Sequence, residues 1–430
     1  MSLLLLFLLT VTPRQIVRIY LSTPQEVGLL ADMNLDYASD YVGNYLDVVV
    51  TDEEFREIRS RGFKTEVRDV NIFVPPEYHS YEETWRTFDS LRRIYPDLCR
   101  LDTVGRTHWR NLPILGVKLS KYVNSVEDEA RALFTGMIHA REPLANEIII
   151  YAAKYILTNY ATNPQVRRWV DSSEIWFIPV INPDGWKYVV DSNLVNPWWR
   201  KNQRDNNNNG RFDPNYDGVD LNRNFDWLWT QSGSTNPADW TYRGPAPNSE
   251  REVQTQANLA RLTRPVFEID YHSYGQIVYY SWSNTPPPPD YDIMSDMGNQ
   301  LGALLGYTAS AGGGSNMSYP YVYARFGVYG FLIEVHTEFI PPAQQIVPNC
   351  TLNFRGIRYV LDHLFYGGVT GHVKDALTLD PLVAQVEVIG RVNPTLDIRT
   401  SDSLYGRFYR MLRPGTYTFK FKKTGYDSVV

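Results

Sequence analysis

The sequence has few cysteines, no cluster of basic residues and no long apolar stretch. Its two cysteines, Cys99 and Cys350, define neither a disulfide framework nor a metal-binding cluster, and they either pair or stay free. The formal net charge of −6 argues against a nucleic-acid-binding protein. The apolar stretch from Leu3 to Val11 is too short to cross a bilayer and no other stretch is long enough, so we expect no membrane span.

The chain is, by contrast, long and rich in apolar side chains. Its 430 residues exceed one ordinary domain, and a hydrophobic content of 43% is enough for sizeable cores. Residues 1–13 resemble the apolar part of a secretory signal peptide without its positively charged start, and the alternative is a buried N-terminal strand. Interpreted as a truncated signal, this segment predicts a secreted or extracellular protein.

Residues 14–70 have the pattern of a small α+β module. The segment from Ile16 to Leu21 alternates like a strand, and Leu46 to Val50 is a second strand. Thr51 and Glu54 form a capping box at the start of a helix that Gly62 ends, and a further strand follows.

A different pattern covers residues 78–366, in which apolar strands alternate with amphipathic helices. This order is typical of an α/β layer with a largely parallel sheet. In such sheets, functional sites form at the carboxyl ends of the strands. Polar residues that directly follow the strands are therefore the candidates for a functional site.

The segment His139-Ala140-Arg141-Glu142 follows one such strand and precedes a helix with Pro143 in its first turn. A neutral imidazole and a carboxylate on one side of such a loop are two of the three protein ligands of a hydrolytic zinc site. His272, at the end of another strand, is the candidate third ligand, and Asp220 is the candidate acceptor for a ligand imidazole. The alternatives are an exposed loop, a histidine satisfied by other polar groups, and a turn role for Asp220.

A proton acceptor and a group of basic and amide side chains complete this set. Glu334 ends the apolar run from Val328 to Ile333, and burial would raise its pKa into a range useful for proton transfer; the alternative is a buried glutamate paired with an arginine. Arg200, Asn222 and Arg223 lie in one connecting region. A guanidinium together with an amide is well suited to binding a carboxylate, and another guanidinium can polarise a carbonyl. The alternative is that these side chains form a solvated charged surface.

These motifs resemble those of the zinc metallocarboxypeptidases, in which they occur in the same order. They are His139-Ala140-Arg141-Glu142, Trp199-Arg200-Lys201, Gly218-Val219-Asp220-Leu221-Asn222-Arg223-Asn224-Phe225, His272-Ser273-Tyr274 and Phe331-Leu332-Ile333-Glu334. The resemblance covers roughly Tyr78 to Tyr366. It implies the family's α/β fold, with a mixed central sheet flanked by helices, and an enzyme that hydrolyses the C-terminal peptide bond.

The resemblance also implies a zinc ion bound by His139, Glu142 and His272. Glu334 would be the general base that later passes its proton to the leaving amine. Asp220 matches the carboxylate behind the first ligand histidine.

Substrate contacts follow from the same resemblance. Arg200 would polarise the scissile carbonyl and stabilise the oxyanion. Asn222 and Arg223 would hold the substrate's C-terminal carboxylate. Arg141 matches a family position that lines a more distant subsite.

One departure from the family concerns its mobile substrate-binding tyrosine, which stands shortly before a Gly-Ser-rich turn. Tyr307 is the candidate, but counting back from Glu334 puts the expected position near Gly312, and Tyr319 is another contender. The residue that sets side-chain preference falls around Tyr319 to Tyr321. The preferred C-terminal residue is therefore not readable from the sequence.

Residues 205–217 form a candidate calcium site. Oxygen-bearing side chains at alternate positions and a glycine at the sixth place resemble the start of an EF-hand-type loop. The candidate ligands are Asp205, Asn207, Asn209 and Asp213. Tyr216 stands where the closing glutamate is expected, so Asp213 or Asp217 would complete the shell, and the alternative is a plain Asn-rich turn.

Residues 367–430 change to short strands of period two, which predict a C-terminal β-sandwich. Gly371-His372-Val373 and the turn from Leu412 to Tyr417 resemble the transthyretin-like domain that follows the catalytic domain in some regulatory carboxypeptidases. The segment offers no catalytic constellation, so we expect an accessory or folding module.

The sequence therefore predicts a secreted zinc carboxypeptidase whose residues 14–70 are either an inhibitory pro-segment or a passive domain. One alternative is another zinc amidohydrolase, acting for example on peptidoglycan peptides, and the Asn222-Arg223 clamp argues against it. The other is a binding protein with an inactive catalytic domain. The presence of His139, Glu142, His272 and Glu334 argues against that second alternative.

Overall fold

The computed structural model describes residues 14–33, 35–38, 44–68, 74–191, 197–282 and 286–430. The predicted signal segment at residues 1–13 lies outside these ranges. Within them, no helix combines the length and the apolar character needed to cross a membrane. Cys99 and Cys350 are both buried and free, so they do not pair.

An antiparallel sheet and one α-helix make up the N-terminal module, residues 14–68. Its elements are β1 (Arg14–Tyr20), a 3₁₀ helix (Pro24–Met33), β2 (Asp36–Tyr37), β3 (Tyr45–Thr51), α1 (Asp52–Ser60) and β4 (Lys64–Val67), with the strands in the order β2-β3-β1-β4. The predicted capping box is present: Thr51 Oγ1 accepts from the Glu54 amide, and the Glu54 carboxylate accepts from the Thr51 amide. The module has its own apolar core, which includes Val17, Val48 and Ile58.

An eight-stranded mixed sheet forms the centre of the molecule. Its strands are β5 (Cys99–Arg106), β6 (Pro113–Leu119), β7 (Ala130–Gly136), β8 (Ser173–Ile178), β9 (Phe267–Ser273), β10 (Ile277–Ser281), β11 (Thr308–Ala311) and β12 (Tyr329–Val335). Their order is β11-β10-β12-β9-β7-β8-β6-β5. The central strands β12, β9, β7 and β8 pair in parallel, whereas β6 with β8, β5 with β6 and β10 with β12 are antiparallel.

Helices flank this sheet, which confirms the predicted fold class. They are α2 (Tyr81–Ile94), α3 (Leu144–Asn159), α4 (Pro164–Ser172), α5 (Pro183–Asp191), α6 (Arg251–Thr263), α7 (Tyr291–Leu305), α8 (Ser318–Phe326) and α9 (Ala343–His363). Helix α3 begins directly after the His139–Glu142 turn and packs on β7 and β9, with Ile148, Ile149 and Ile156 fully buried. This packing fixes the turn at the carboxyl end of β7.

Two pairs of short antiparallel strands make up the C-terminal module, residues 368–430. They are β13 (Gly368–His372) with β15 (Arg407–Met411), and β14 (Gln385–Val388) with β16 (Phe419–Lys422). Arginines of this module meet aspartates around α7: Arg391 bonds Asp292 at 2.7 Å, and Arg410 bonds Asp290 at 3.2 Å. The module is therefore tied to the α/β layer by charged side chains.

Candidate active site

The predicted zinc ligands come together at the carboxyl ends of two adjacent parallel strands. His139 and Glu142 lie in the turn after β7, and His272 is near the end of β9, which pairs directly with β7. Parallel neighbours end at the same edge of the sheet, so residues far apart in sequence meet there. All three side chains are buried.

The distances between their donor atoms suit a single metal ion. His139 Nδ1 lies 2.8 Å from Glu142 Oε1, His272 Nδ1 lies 3.1 Å from Glu142 Oε2, and the two Nδ1 atoms are 3.2 Å apart. Ligand bonds of about 2.0–2.2 Å in a tetrahedral zinc site place the ligand atoms about 3.3 Å from one another. Two imidazole nitrogens and a carboxylate converging in a buried place are the donor set that zinc prefers, so these residues fit the ion.

Each histidine presents its other ring nitrogen to a carboxylate. His139 Nε2 lies 3.3 Å from Asp220 Oδ1, as expected for the carboxylate predicted to accept from a ligand imidazole. His272 Nε2 lies 3.2 Å from Asp270 Oδ2, and Asp270 also accepts a hydrogen bond of 2.8 Å from the Thr135 hydroxyl. Such carboxylates fix the tautomer and the orientation of a ligand imidazole.

Asp270 is a site residue that the sequence reasoning missed. A signal was available, because Asp270 precedes His272 by two positions and alternate residues of a strand point to the same face. A third contact comes from the Ser318 hydroxyl, which donates a short hydrogen bond to Asp270 Oδ2.

Glu334 lies beside the zinc-ligand candidates because of strand register. Strand β12 is the parallel neighbour of β9, and Glu334 is paired in register with His272. Both strands are buried along most of their length, and Glu334 itself is half-buried. The sequence could place Glu334 at the end of a strand, but only the sheet order places it next to His272.

One cavity of about 100 Å³, which we call the central cavity, contains most of the predicted groups. The predicted residues that line it are His139, Glu142, Arg200, Asn222, Arg223 and Glu334. Asn222 is held there because its Oδ1 accepts a hydrogen bond of 3.0 Å from the Ser318 amide, and Arg223 Nη1 donates to the Asn222 carbonyl at 2.8 Å. His272 does not line the cavity, but its Nδ1 lies 3.2 Å from His139 Nδ1. The cavity therefore borders two of the three metal-ligand candidates together with Glu334 and the Asn222-Arg223 pair.

Arg200 and Asp220 form a buried ion pair next to the cavity. Arg200 Nε donates to Asp220 Oδ2 at 3.0 Å. Burial alone would raise the pKa of Asp220, but Arg200 and Arg223 hold this pKa well below its usual range. Burial likewise opposes the charge on Arg200, and the neighbouring carboxylates, Asp220 first, outweigh it and raise its pKa. Both groups therefore stay ionised.

Arg141, the predicted subsite residue, forms an ion pair with Asp36 of the N-terminal module. It is fully buried, donates two hydrogen bonds to the Asp36 carboxylate and stacks 4.2 Å from the Phe339 ring centroid. Asp47 of the same module accepts a hydrogen bond of 3.1 Å from the Tyr274 hydroxyl. Tyr37, next to Asp36, lines the central cavity itself.

Tyr307 does not reach the central cavity. Its hydroxyl accepts a hydrogen bond of 3.1 Å from Asn353 Nδ2 on α9, and its ring belongs to the main apolar core. An apolar patch lines the cavity instead, formed by Ile277, Tyr279, Met317 and Leu332. Sequence reasoning did not assign these residues, because alternating apolar residues on strands are usually core.

In the predicted calcium loop, carboxylate oxygens accept hydrogen bonds from backbone amides of the same loop. Asp205 accepts from the amides of Asn209 and Gly210, and Asp217 accepts from the amides of Asn206 and Asp213. Among the described residues, the only group of three or more histidine, cysteine or acidic side chains that could hold a metal is the His139, Glu142 and His272 set. The structure therefore does not support the calcium prediction for Asp205, Asn207, Asn209 and Asp213.

Comparison with known proteins agrees with this geometry. The zinc carboxypeptidase family matches residues 84–356 of the chain. Metallocarboxypeptidase A of Trichophyton tonsurans is 32% identical over 252 residues, which cover 57% of this chain and 56% of that protein. Carboxypeptidase A2 of Mus musculus is 26% identical over 313 residues, 67% of this chain and 70% of that protein. The chain thus spans little more than half the length of the fungal relative.

Two solved structures share the fold. Carboxypeptidase A from Helicoverpa armigera has a TM-score of 0.71 at 18% identity, covering 82% of this chain and 97% of that one. Thrombin activatable fibrinolysis inhibitor has a TM-score of 0.67 at 20% identity, covering 82% and 98%. At these identities, the likeness concerns the fold alone.

Proposed function

Since the chain belongs to the zinc carboxypeptidase family, we propose that it is a zinc-dependent metallocarboxypeptidase that hydrolyses the C-terminal peptide bond of peptides and proteins. The observation that carries the proposal is the shared central cavity. His139 and Glu142 of the buried zinc-ligand set line it together with the Asn222-Arg223 pair, which suits a terminal carboxylate.

In this proposal, His139, Glu142 and His272 hold zinc, with Asp220 and Asp270 orienting the two imidazoles. The chemistry that zinc supplies in such a site is acidification of a water molecule and polarisation of a carbonyl oxygen. Every other step is carried by side chains of the cavity.

Glu334 acts as the general base and then as the general acid. Its position beside His272 puts the carboxylate at the edge of the ligand set, where it takes a proton from the attacking water and later delivers it to the leaving amine. Arg200, held in place by Asp220, donates to the carbonyl oxygen as negative charge develops there. Arg223 and Asn222 bind the terminal carboxylate, which positions the last peptide bond of a substrate.

The apolar part of the cavity suggests the preferred C-terminal residue. Ile277, Tyr279, Met317 and Leu332 line it, and Tyr319 belongs to the same apolar cluster. A charged side chain would lose its hydration there without gaining a partner. We therefore propose that substrates end in an apolar or aromatic residue.

The N-terminal module is proposed to be an inhibitory pro-segment of a secreted enzyme. This proposal is supported by the Asp36 contact to Arg141, the Asp47 contact to Tyr274 and the position of Tyr37 in the cavity wall. A substrate could not use these groups while the module is docked. We propose domain boundaries of 14–70, 78–366 and 367–430, with the last as a transthyretin-like accessory domain.

A peptide screen tests the function. Purified protein with zinc is incubated with short peptides that differ only in their last residue, before and after limited proteolysis, with and without a chelator. Release of single apolar C-terminal residues, abolished by the chelator and absent for C-terminally amidated peptides, is expected. Equal turnover of the amidated peptides would instead indicate an amidohydrolase that does not use the carboxylate clamp.

A further inference from the structure

A pair of adjoining cavities lies between the α/β layer and the C-terminal module, away from the central cavity. The inner one, which we call the interface cavity, measures about 60 Å³ and the outer groove about 450 Å³. Val386, Arg399 and Arg410 line both, so the two spaces adjoin each other at these three residues. The interface cavity is lined by five arginines, namely Arg131, Arg264, Arg399, Arg407 and Arg410.

Three of these arginines have carboxylate partners. Arg131 Nε pairs with Glu174 at 2.9 Å, Arg407 Nε with Asp128 at 2.5 Å, and Arg410 Nη2 with Asp290 at 3.2 Å. Their charges are therefore balanced by the protein itself.

Arg264 and Arg399 differ from the other three. Arg264 donates to the Ser401 carbonyl at 3.0 Å and to Thr400 Oγ1 at 2.9 Å, and Arg399 Nη1 donates to the carbonyls of Ala324 and Asp397. All these acceptors are neutral. Within the part of the chain that the structure describes, Arg399 Nη2 is buried without a hydrogen-bond partner.

The two guanidinium groups are also close enough to repel each other. Burial lowers the pKa of Arg264, Asp402 partly offsets this effect, and Arg399 lowers the pKa further. Asp402 lines the interface cavity, but its Oδ1 accepts hydrogen bonds from the amides of Leu404 and Tyr405. Arg264 and Arg399 together carry two positive charges and Asp402 carries one negative charge, which leaves an excess of positive charge beside the cavity.

The surrounding backbone is shaped to hold Arg399 in this place. A Cβ on Gly327 would lie 2.8 Å from Arg399 Cδ and 2.9 Å from its Nε, so a larger residue there would displace the Arg399 side chain. Gly327 also ends α8 with a φ of +77°, which favours glycine. The Arg399 guanidinium stacks 4.6 Å from the Tyr323 ring centroid, which fixes its plane.

We propose that the interface cavity binds the oxyanion head of an organic anion, a carboxylate or a phosphate, between Arg264 and Arg399, with the apolar body of the ligand in the outer groove. A volume of about 60 Å³ is several times the roughly 10–15 Å³ that one water requires, so it accommodates a head group of a few heavy atoms. Guanidinium forks bind such heads through paired hydrogen bonds. Leu396, Val392 and Tyr323 give the outer groove its apolar lining.

Calorimetric titration of the full-length protein with phenyl phosphate tests the proposal at constant ionic strength. We expect binding by the wild type and a loss of affinity of about tenfold or more in Arg264→Gln and Arg399→Gln. Inorganic phosphate should bind more weakly than phenyl phosphate, and equal affinity would overturn the assignment of the outer groove. Benzoate in place of phenyl phosphate distinguishes a carboxylate head from a phosphate head, and either one supports the proposal when it follows this variant pattern.

Two matched variants locate the binding. Arg325→Gln removes a cation that also contacts the C-terminal module, through Asp397, but lines neither cavity, and it should bind as the wild type does. Arg223→Gln removes one of the two cations that line the central cavity and should leave the affinity for phenyl phosphate unchanged. Loss of phenyl phosphate binding in Arg223→Gln but not in Arg399→Gln would overturn the proposal. Failure of the wild type to bind either phenyl phosphate or benzoate at millimolar concentration would also overturn it. Arg399→Lys keeps the positive charge but removes the guanidinium group, and it replaces Arg399→Gln in the test if that variant does not fold.

Discussion

Arg141 and Asp36 form a buried, bidentate ion pair that joins the α/β layer to the N-terminal module. Removing one partner of such a pair leaves an uncompensated charge and costs about 3–5 kcal/mol. Since Asp36 belongs to the module and Arg141 to the site, the cost of breaking this pair falls on the docking of the module. Docking should therefore be sensitive to this one contact.

An Asp36→Asn variant should raise the activity of the uncleaved chain. Weaker docking opens the central cavity part of the time, and we expect an increase of about tenfold or more in peptide hydrolysis. Asp32→Asn is the matched control, because Asp32 is exposed and pairs with Arg61 inside the module. If cleavage near residues 69–76 activates neither the wild type nor the variants, the module is a passive domain.

A Glu334→Gln variant should keep its zinc and lose its turnover. The amide cannot accept the proton of a water, so kcat should fall about 10²–10⁴-fold while zinc content by elemental analysis stays at the wild-type level. Glu338→Gln, a change outside the central cavity, should leave kcat near the wild-type value. Retention of full activity by Glu334→Gln would contradict the assigned base.

An Asp270→Asn variant should weaken zinc binding. The neutral amide holds the His272 imidazole less firmly, and the expected loss is about 10–100-fold in zinc affinity, measured by competition with a chelator. Glu268→Gln is a control on the same strand face. Burial, and then Asp270, raises the pKa of Glu268 to about 8, so at neutral pH this group is an uncharged acid that an amide imitates. Equal zinc affinity in both variants would argue against a role for Asp270.

Stability should fall as pH rises from about 4.5 to about 8, in part because of Glu252. This carboxyl is fully buried beside Glu250, Asp184 and the His108 amide, and burial raises its pKa to about 8. Between the unfolded and the folded pKa, the folded state keeps a proton that the unfolded chain releases, so the free energy of unfolding decreases with pH. The contribution is at most about 1.4 kcal/mol per pH unit.

Denaturant unfolding at several pH values measures this slope. Glu252→Gln should flatten it, because the amide does not titrate. Glu53→Gln, on the exposed surface of α1, should not change it. An unchanged slope in Glu252→Gln would mean that Glu252 ionises in the folded protein much as it does in the unfolded chain.

The local parts of the site could be predicted because they depend on short-range geometry. His139 and Glu142 are three positions apart in one turn, so the short chain between them keeps their side chains near each other. The capping box of Thr51 and Glu54 is present for the same reason. The alternation of strands and helices likewise identified the fold class, because periodicity reports which face of each element is buried.

Strand order and side-chain packing decided the rest. Glu334 and His272 are neighbours only because β12 pairs in register with β9, and no local pattern specifies which strands pair. Tyr307 has the right residue type near the right motif, but its ring packs in the core and its hydroxyl meets Asn353 on α9. The pairing of Arg141 with Asp36 and the unbalanced charges of Arg264 and Arg399 depend on contacts between separate modules. Sequence alone therefore determined the chemistry of the candidate ligands, whereas the tertiary structure decided which groups face each other, because long-range contacts are set by packing of whole elements.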